Sequence, residues 1–244
     1  MNFIVVGSSA GLGRCLADRL AQNGHNLLLV ASKQEDLHAQ AADLTIRYSV
    51  KVESVALRVQ CNKESVDAVK TASARLGQID GIYFPMGYSR SDDDGTLSAD
   101  DIERISSSNL SGIMAITAAF LDEFLKRGSG VFAFFGSVAA ERGRSSNIAY
   151  AAAKRGLLSF YESIKHRCAA SKIGVQFYQL GYLNTAQTYG KKLPFPAAQP
   201  EDAANYVVSR MNASSGFAYY PGFWRFICLA LRCTPWFIFK KLKF

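Results

Sequence analysis

The stretch Phe3-Ile4-Val5-Val6-Gly7-Ser8-Ser9-Ala10-Gly11-Leu12-Gly13 opens the chain after two residues. Four apolar residues run straight into a glycine turn of the form GxxxGxG, and an amphipathic stretch, Gly11–Asn23, follows. Glycines at these spacings permit a tight strand-to-helix turn and let the backbone come close to a ligand. The free N–H groups at the start of the helix then face an anion. Gly7, Ser9, Gly11, Leu12 and Gly13 are therefore candidates for holding a nucleotide phosphate, although a tight turn with nothing bound uses the same residues.

Beyond this turn, short apolar runs alternate with amphipathic stretches. Strands are expected at Phe3–Val6, Asn26–Ala31, Lys51–Leu57, Gly81–Phe84, Gly130–Gly136 and Val175–Leu180. Helices are expected at Gly11–Asn23, Glu35–Tyr48, Lys63–Leu76, Asp100–Arg127, Ile148–Ser171 and Pro200–Met211. Several strands are continuous apolar runs, which suits burial on both faces of a parallel sheet. The alternation predicts an α/β fold: a doubly wound, Rossmann-type parallel sheet with helices on both faces, in one domain.

The composition agrees. At 244 residues, 49% hydrophobic and 20% charged, the chain suits one packed domain and excludes a disordered or fibrous one. The formal charge of +8 is unevenly placed. No acid follows Asp202, whereas Arg210, Arg225, Arg232, Lys240, Lys241 and Lys243 lie beyond it. A nearly neutral body with a cationic tail argues against a nucleic-acid-coating domain and for an anionic surface met by the tail. The five cysteines, Cys15, Cys61, Cys168, Cys228 and Cys233, form no ligand cluster and read as reduced cytosolic thiols. His25, His38 and His166 share no metal-ligand spacing, so no metal site is expected. There is no cationic leader before the first strand and no uncharged apolar run long enough to span a bilayer.

The chemistry is concentrated in the second half. Tyr150 and Lys154 stand at i and i+4, one above the other on a helix face. An ammonium beside a phenol favours the phenolate and brings its pKa toward the working range. Ser137 follows the apolar strand Val131–Phe135 and Gly136, at the strand end where open α/β sheets bind ligands. Asn109 is an indifferent helix former inside a long helix, suited to hold a water or a backbone group near Lys154. Each residue alone also suits a cap, a turn or a solvated surface. At the end of the second strand, Ser32 and Lys33 stand where dinucleotide folds read the adenosine ribose. With no carboxylate to repel a 2′-phosphate, they incline the reading to NADPH over NADH, unless Lys33 is a solvated loop residue.

Together these residues resemble the short-chain dehydrogenase/reductase superfamily over residues 1 to about 200. That resemblance implies that Tyr150 is the general acid–base and that Lys154 lowers its pKa and binds the nicotinamide ribose. It further implies that Ser137 orients the carbonyl and Asn109 completes a proton relay. Leu180-Gly181-Tyr182-Leu183-Asn184-Thr185 is similar to the family's PGxxxT, with Thr185 matching the threonine that holds the nicotinamide amide. Two positions depart: the family's NNAG is Phe84-Pro85-Met86-Gly87, where only Gly87 matches, and the usual acidic residue after the third strand appears as Val59.

A narrower resemblance rests on Gly136–Arg144 with Asn147 and Tyr150, and on Tyr220–Arg225 with Leu231–Leu242. These segments resemble the decaprenylphosphoryl-2-ketoribose reductases, which serve the second step of a 2′-epimerisation. The resemblance implies reduction of a 2-keto-pentofuranose on a polyprenyl phosphate, an oxidase as partner subunit, and NADH as cofactor, against the inclination from Lys33. Arg142, Arg144, Lys191 and Lys192 border the expected crevice and are candidate phosphate-binding residues, or solvated loop residues.

Residues 1–222 are thus expected to form the dinucleotide-binding domain, and 223–244 a cationic aromatic segment. Seven aromatic residues beside five cations in 223–244 suit a bilayer surface, which places the protein peripherally on the cytoplasmic face of an inner membrane. Cutting after Gly222 is then expected to release the protein from vesicles and spare a short soluble substrate. A helix packed on its own core or on a second subunit is the competing reading, since the superfamily commonly forms homo-oligomers. An enzyme acting on a soluble ketone, or an inactive nucleotide-binding regulatory protein, are the alternative functions.

Overall fold

A computed structural model describes residues 1–186, 188–190 and 193–242. Seven parallel strands form one sheet in the order β3-β2-β1-β4-β5-β6-β7. They are β1 (Asn2–Val6), β2 (Asn26–Ala31), β3 (Val52–Ala56), β4 (Gly81–Phe84), β5 (Ser129–Ser137), β6 (Lys172–Leu180) and β7 (Gly216–Tyr220). The helices between them are α1 (Gly11–Gln22), α2 (Gln34–Tyr48), α3 (Lys63–Ala74), α4 (Ala99–Ser106), α5 (Gly112–Arg127), α6 (Ile148–Arg167) and α7 (Pro200–Ser209). After β7 come α8 (Trp224–Cys233) and the single turn α9 (Trp236–Phe239).

The continuous apolar strands are buried on both sides because successive side chains serve opposite faces of the sheet. In β1, Phe3 and Val5 pack with Leu16 and Leu20 of α1, Leu37 of α2 and Val207 of α7. Ile4 and Val6 turn the other way, to Val69 of α3, Ile116 and Phe120 of α5 and Leu157 of α6. The expected doubly wound architecture is present. β1 lies between β2 and β4, so the chain reverses its direction of winding at that point and opens a crevice at the strands' carboxyl ends.

Three features differ from expectation. The sequence suggested six strands, and β7 adds a seventh on the edge, in register with β6 from Gln176↔Gly216 to Leu180↔Tyr220. Its five residues are only half-buried or exposed, and the short run Phe217-Ala218-Tyr219-Tyr220 before Pro221 was the available signal. The expected helix Asp100–Arg127 is α4 and α5 joined by a π-helical turn, Ser107–Ser111, which contains Asn109. Finally, α6 stops at Arg167, where Cys168 leaves the helical region.

Candidate active site

The glycine turn occupies the crevice between β1 and β4. Gly7 has φ +98°, and a Cβ there would lie 2.6 Å from the Met86 backbone. A Cβ on Gly13 would lie 1.8 Å from the Gly7 carbonyl, so the helix approaches the strand as only glycine allows. Ala10 precedes α1 without a side-chain cap, and no acid stands in the first turn. The N-terminal N–H groups and the positive end of the helix dipole thus remain available to an anion. The buried Ser8 hydroxyl has no partner among the described residues, and the Ser9 carbonyl accepts from Arg14 Nε at 3.0 Å. Leu12 is buried beneath the turn. Gly11 has φ +48°, and a Cβ there would meet Thr185 Cγ2 at 3.1 Å. Thr185, 174 residues away in sequence, therefore lies over the glycine turn. A close backbone cradle with an uncapped helix and an orphan hydroxyl fits the pyrophosphate of a dinucleotide.

Ser32 and Lys33 are exposed just past β2, and Lys33 precedes α2 without capping it. Sequence reasoning passed over Arg58. It is exposed just past β3, and the neighbouring strands are in register at Ala31↔Ala56, with Leu57 N–H donating to the Ala31 carbonyl at 2.7 Å. Its position directly before Val59 was the available signal.

The four candidate catalytic residues come from three elements. Ser137 is the last residue of β5, and its Oγ accepts the Ala139 N–H at 3.2 Å. Tyr150 lies in the first turn of α6, near enough for the Ser137 hydroxyl to act on its phenol. Burial pushes the phenol's pKa up, and the Ser137 hydroxyl pulls it partly back. Lys154, one turn on, is buried and donates to the Phe135 carbonyl at 2.9 Å and the Met86 carbonyl at 3.4 Å. Burial brings its pKa down to about 7. The sequence suggested an ammonium lowering the phenol's pKa; in the protein alone, desolvation governs both groups and Ser137 is what lowers Tyr150.

Asn109 Nδ2 donates to the carbonyls of Tyr88 at 2.7 Å and Ile105 at 2.8 Å. Its Oδ1 is buried without a partner. A Cβ on Gly87 would lie 3.0 Å from that Oδ1 and 3.7 Å from Lys154 Nζ. The π turn thus aims an unused acceptor toward the lysine, with Gly87 making room for both.

The outer wall departs from expectation. Arg142 was a candidate for gripping a substrate phosphate. Its guanidinium instead donates to the Leu231 carbonyl at 2.9 Å and to the Thr234 carbonyl, and lies 3.9 Å from the centre of the Phe239 ring. Its Nη1 is thus committed to the end of α8. Arg144 is half-buried in the same loop. Lys191 and Lys192 lie outside the described residues. Beside that loop, just past β6, Trp224 is buried against Gly181, where a Cβ would fall 1.9 Å from the indole Nε1, and stacks edge-on with Tyr182 and Phe195. The C-terminal segment thus packs on the loops that follow the neighbouring strands β5 and β6, with Trp224 and Cys228 buried. Its other side exposes Phe226, Leu229, Trp236, Phe237, Ile238 and Leu242. No described helix is long and apolar enough to cross a membrane.

The sequence pattern of the short chain dehydrogenases matches residues 2–192. The chain is 24% identical over 216 residues to the 3-oxoacyl-acyl-carrier-protein reductase of Aquifex aeolicus, covering 84% of this chain and 87% of that one. It is 28% identical over 186 residues to the corresponding reductase of Bos taurus, covering 75% and 76%. Among solved structures, a short-chain dehydrogenase from Sphingobium yanoikuyae in complex with NADPH superposes with a TM-score of 0.83, at 22% identity, over 99% of this chain and 96% of that one. L-sorbose reductase from Gluconobacter frateurii, complexed with NADPH and L-sorbose, gives 0.80 at 22% identity over 89% and 93%.

Proposed function

Because the chain belongs to the short chain dehydrogenase family, whose members are NAD(P)-dependent oxidoreductases, we propose that it reduces a ketone to a secondary alcohol with Tyr150 as the proton donor. One observation carries this reading: Tyr150 opens α6 beside Ser137 at the end of β5, where that hydroxyl acts on the phenol, with Lys154 buried one turn on. When bound, the cofactor supplies the reducing equivalent. The glycine turn would hold its pyrophosphate, Thr185 its nicotinamide amide and Lys154 its nicotinamide ribose. Ser137 and Tyr150 would both donate to the carbonyl oxygen, and Tyr150 would release its proton as negative charge develops there. A phenol pushed up by burial stays protonated through neutral pH, which suits an acid acting in the reductive direction. The Lys154 ammonium would return the proton, and the Asn109 Oδ1 would accept from a water that reprotonates the lysine. The test is direct: purified protein, NADPH or NADH, a set of ketones, and cofactor absorbance as the readout. No oxidation with any ketone, while the cofactor still binds, would favour the inactive regulatory alternative.

The exposed cations Lys33 and Arg58 beside the expected 2′-position support NADPH over NADH. For substrate we propose a 2-keto-pentofuranose on a polyprenyl phosphate. The resemblance in 136–150 and 220–242 supports it, as does an apolar, cationic outer surface on a segment packed against the loops that follow β5 and β6. A polyprenyl chain leaves a bilayer at a cost of about 0.8 kcal/mol per CH₂, so the enzyme must go to the lipid. Residues 223–244 would dock on an anionic membrane surface from the cytoplasmic side, beside an oxidase partner. Residues 1–222 would form the catalytic domain, in a homo-oligomer. A soluble ketone is the second reading, favoured by the reductase relatives. Comparing a lipid-linked 2-keto-pentose with its soluble analogue separates them.

A further inference from the structure

The first turn of α6 carries Tyr150, yet α6 lacks a cap of its own. The preceding residue, Asn147, has φ +55° and its side chain caps nothing. The exposed N–H groups of the turn go instead to one residue far away in sequence. Asp93 Oδ1 accepts from Ala149 N–H at 3.0 Å, and Oδ2 accepts from Tyr150 N–H at 3.0 Å. The Asp93 carbonyl accepts from Ile148 N–H at 3.3 Å. Asp93 is only 2% exposed in a chain segment whose neighbours Asp92 and Asp94 are on the surface.

The segment that delivers this carboxylate is itself held. Arg90 donates to Asp92 at 2.8 and 2.6 Å and to Asp101, in the first turn of α4, at 2.7 Å. Asp94 accepts from the Thr96 N–H at 3.0 Å and the Thr96 hydroxyl at 2.6 Å. Gly95 has φ +99°, and a Cβ there would lie 3.2 Å from Ile148, the first residue of α6. The same loop begins at Met86 and Tyr88, whose carbonyls accept from Lys154 and Asn109. One loop therefore touches three of the four catalytic residues, and only at Tyr150 is the contact a buried carboxylate on the residue's own N–H.

We infer that Asp93 is a positioning residue for the catalytic tyrosine, fixing the start of α6 so that the phenol lies within reach of Ser137. A helix end is otherwise free to fray or to shift within its first turn. Reacting groups misplaced by about 1 Å can lose on the order of 100-fold in rate. The inference rests on Tyr150 being the proton donor.

The experiment measures kcat, KM for the ketone, the dissociation constant for NADPH and the melting temperature in Asp93→Ala, Asp93→Asn and Asp93→Ala/Asn147→Gly. Glycine at the left-handed position 147 relieves backbone strain at the helix start without touching Tyr150. Asp93→Ala is expected to lower kcat roughly 10- to 100-fold, with NADPH binding within about twofold of the parent. Asp93→Asn, keeping one acceptor oxygen, should recover part of that loss. The double variant should recover melting temperature but not kcat. A kcat that returns with the melting temperature, or that Asp93→Ala leaves unchanged, overturns the inference. Tyr150→Phe run alongside separates the two readings: full turnover there removes Tyr150 as acid, whereas a dead Tyr150→Phe beside an active Asp93→Ala removes only Asp93.

Discussion

Glu141, four residues past Ser137, is buried at 2% side-chain exposure and forms an ion pair with Arg232 of α8, which is 52% exposed. The Tyr219 hydroxyl donates to the same carboxylate at 3.4 Å. With Arg142 on the carbonyls of Leu231 and Thr234, two consecutive residues of the catalytic loop grip the C-terminal segment. That segment is therefore anchored on the loop that follows Ser137, and removing it is expected to disturb the site.

This alters what truncation reports. Ending the chain at Gly222 strips Trp224 from Gly181 and Val138, and the burial of one such side chain contributes about 1.5–3 kcal/mol. Truncation is expected to impair lipid-linked and soluble substrates alike, in contrast to the selective loss suggested by the sequence. The membrane reading is better tested on the outer face. Trp236 and Phe237 are 67% and 64% exposed. Trp236→Ser/Phe237→Ser should weaken co-sedimentation with anionic vesicles at low salt and spare turnover of a soluble ketone. Unchanged vesicle binding, or none by the parent chain, ends the membrane reading.

Arg142→Ala removes charge-assisted hydrogen bonds, each typically worth about 1.5–3 kcal/mol. We expect the melting temperature to fall by several degrees and KM for neutral and phosphorylated ketones to rise in parallel. A loss confined to phosphorylated substrates would return Arg142 to phosphate recognition.

Tyr150→Phe keeps the ring and loses the proton. Turnover should fall about 10²–10⁴-fold, the usual worth of general acid catalysis, while NADPH titration by fluorescence gives an unaltered dissociation constant. Undiminished turnover would remove Tyr150 from the mechanism.

Lys154 titrates near 7 in the folded chain because it is buried, against 10.5 when solvated. Between those values the unfolded state binds more protons, so this residue makes stability rise with pH across that window. Below pH 7 both states are protonated and the full burial cost applies. Lys154→Met should therefore exceed the parent in melting temperature at pH 6, with the gap closing toward pH 10. A gap that widens with pH would contradict the buried, depressed lysine.

Cofactor choice is read at Lys33 and Arg58. Lys33→Ala/Arg58→Ala should raise KM for NADPH and leave that for NADH nearly unchanged, since only the former carries a 2′-phosphate. Equal effects on both would show that neither cation reads it.

Local chemistry in the sequence determined much of this protein. Continuous apolar strands between amphipathic stretches specified the doubly wound sheet, because alternation of side chains buries such strands only between two helical layers. Gly7, Gly11 and Gly13 announced the cradle, because no other residue fits their spacing and backbone. Tyr150 and Lys154 announced a shared helix face. Tertiary structure decided the rest, through contacts between residues far apart in the chain. The edge strand β7 is only the short run Phe217-Ala218-Tyr219-Tyr220 behind Gly216, and pairing with β6 is what makes it a strand. Asp93 is one acid of three in a row, and only the folding of its loop onto α6 singles out the buried one. Arg142 was legible as a cation near the site, but its partners are backbone carbonyls about ninety residues away, and a sequence carries no mark of which carbonyls a guanidinium will reach. Likewise the pKa values of Tyr150 and Lys154 follow from burial, a property of the assembled core and not of their spacing.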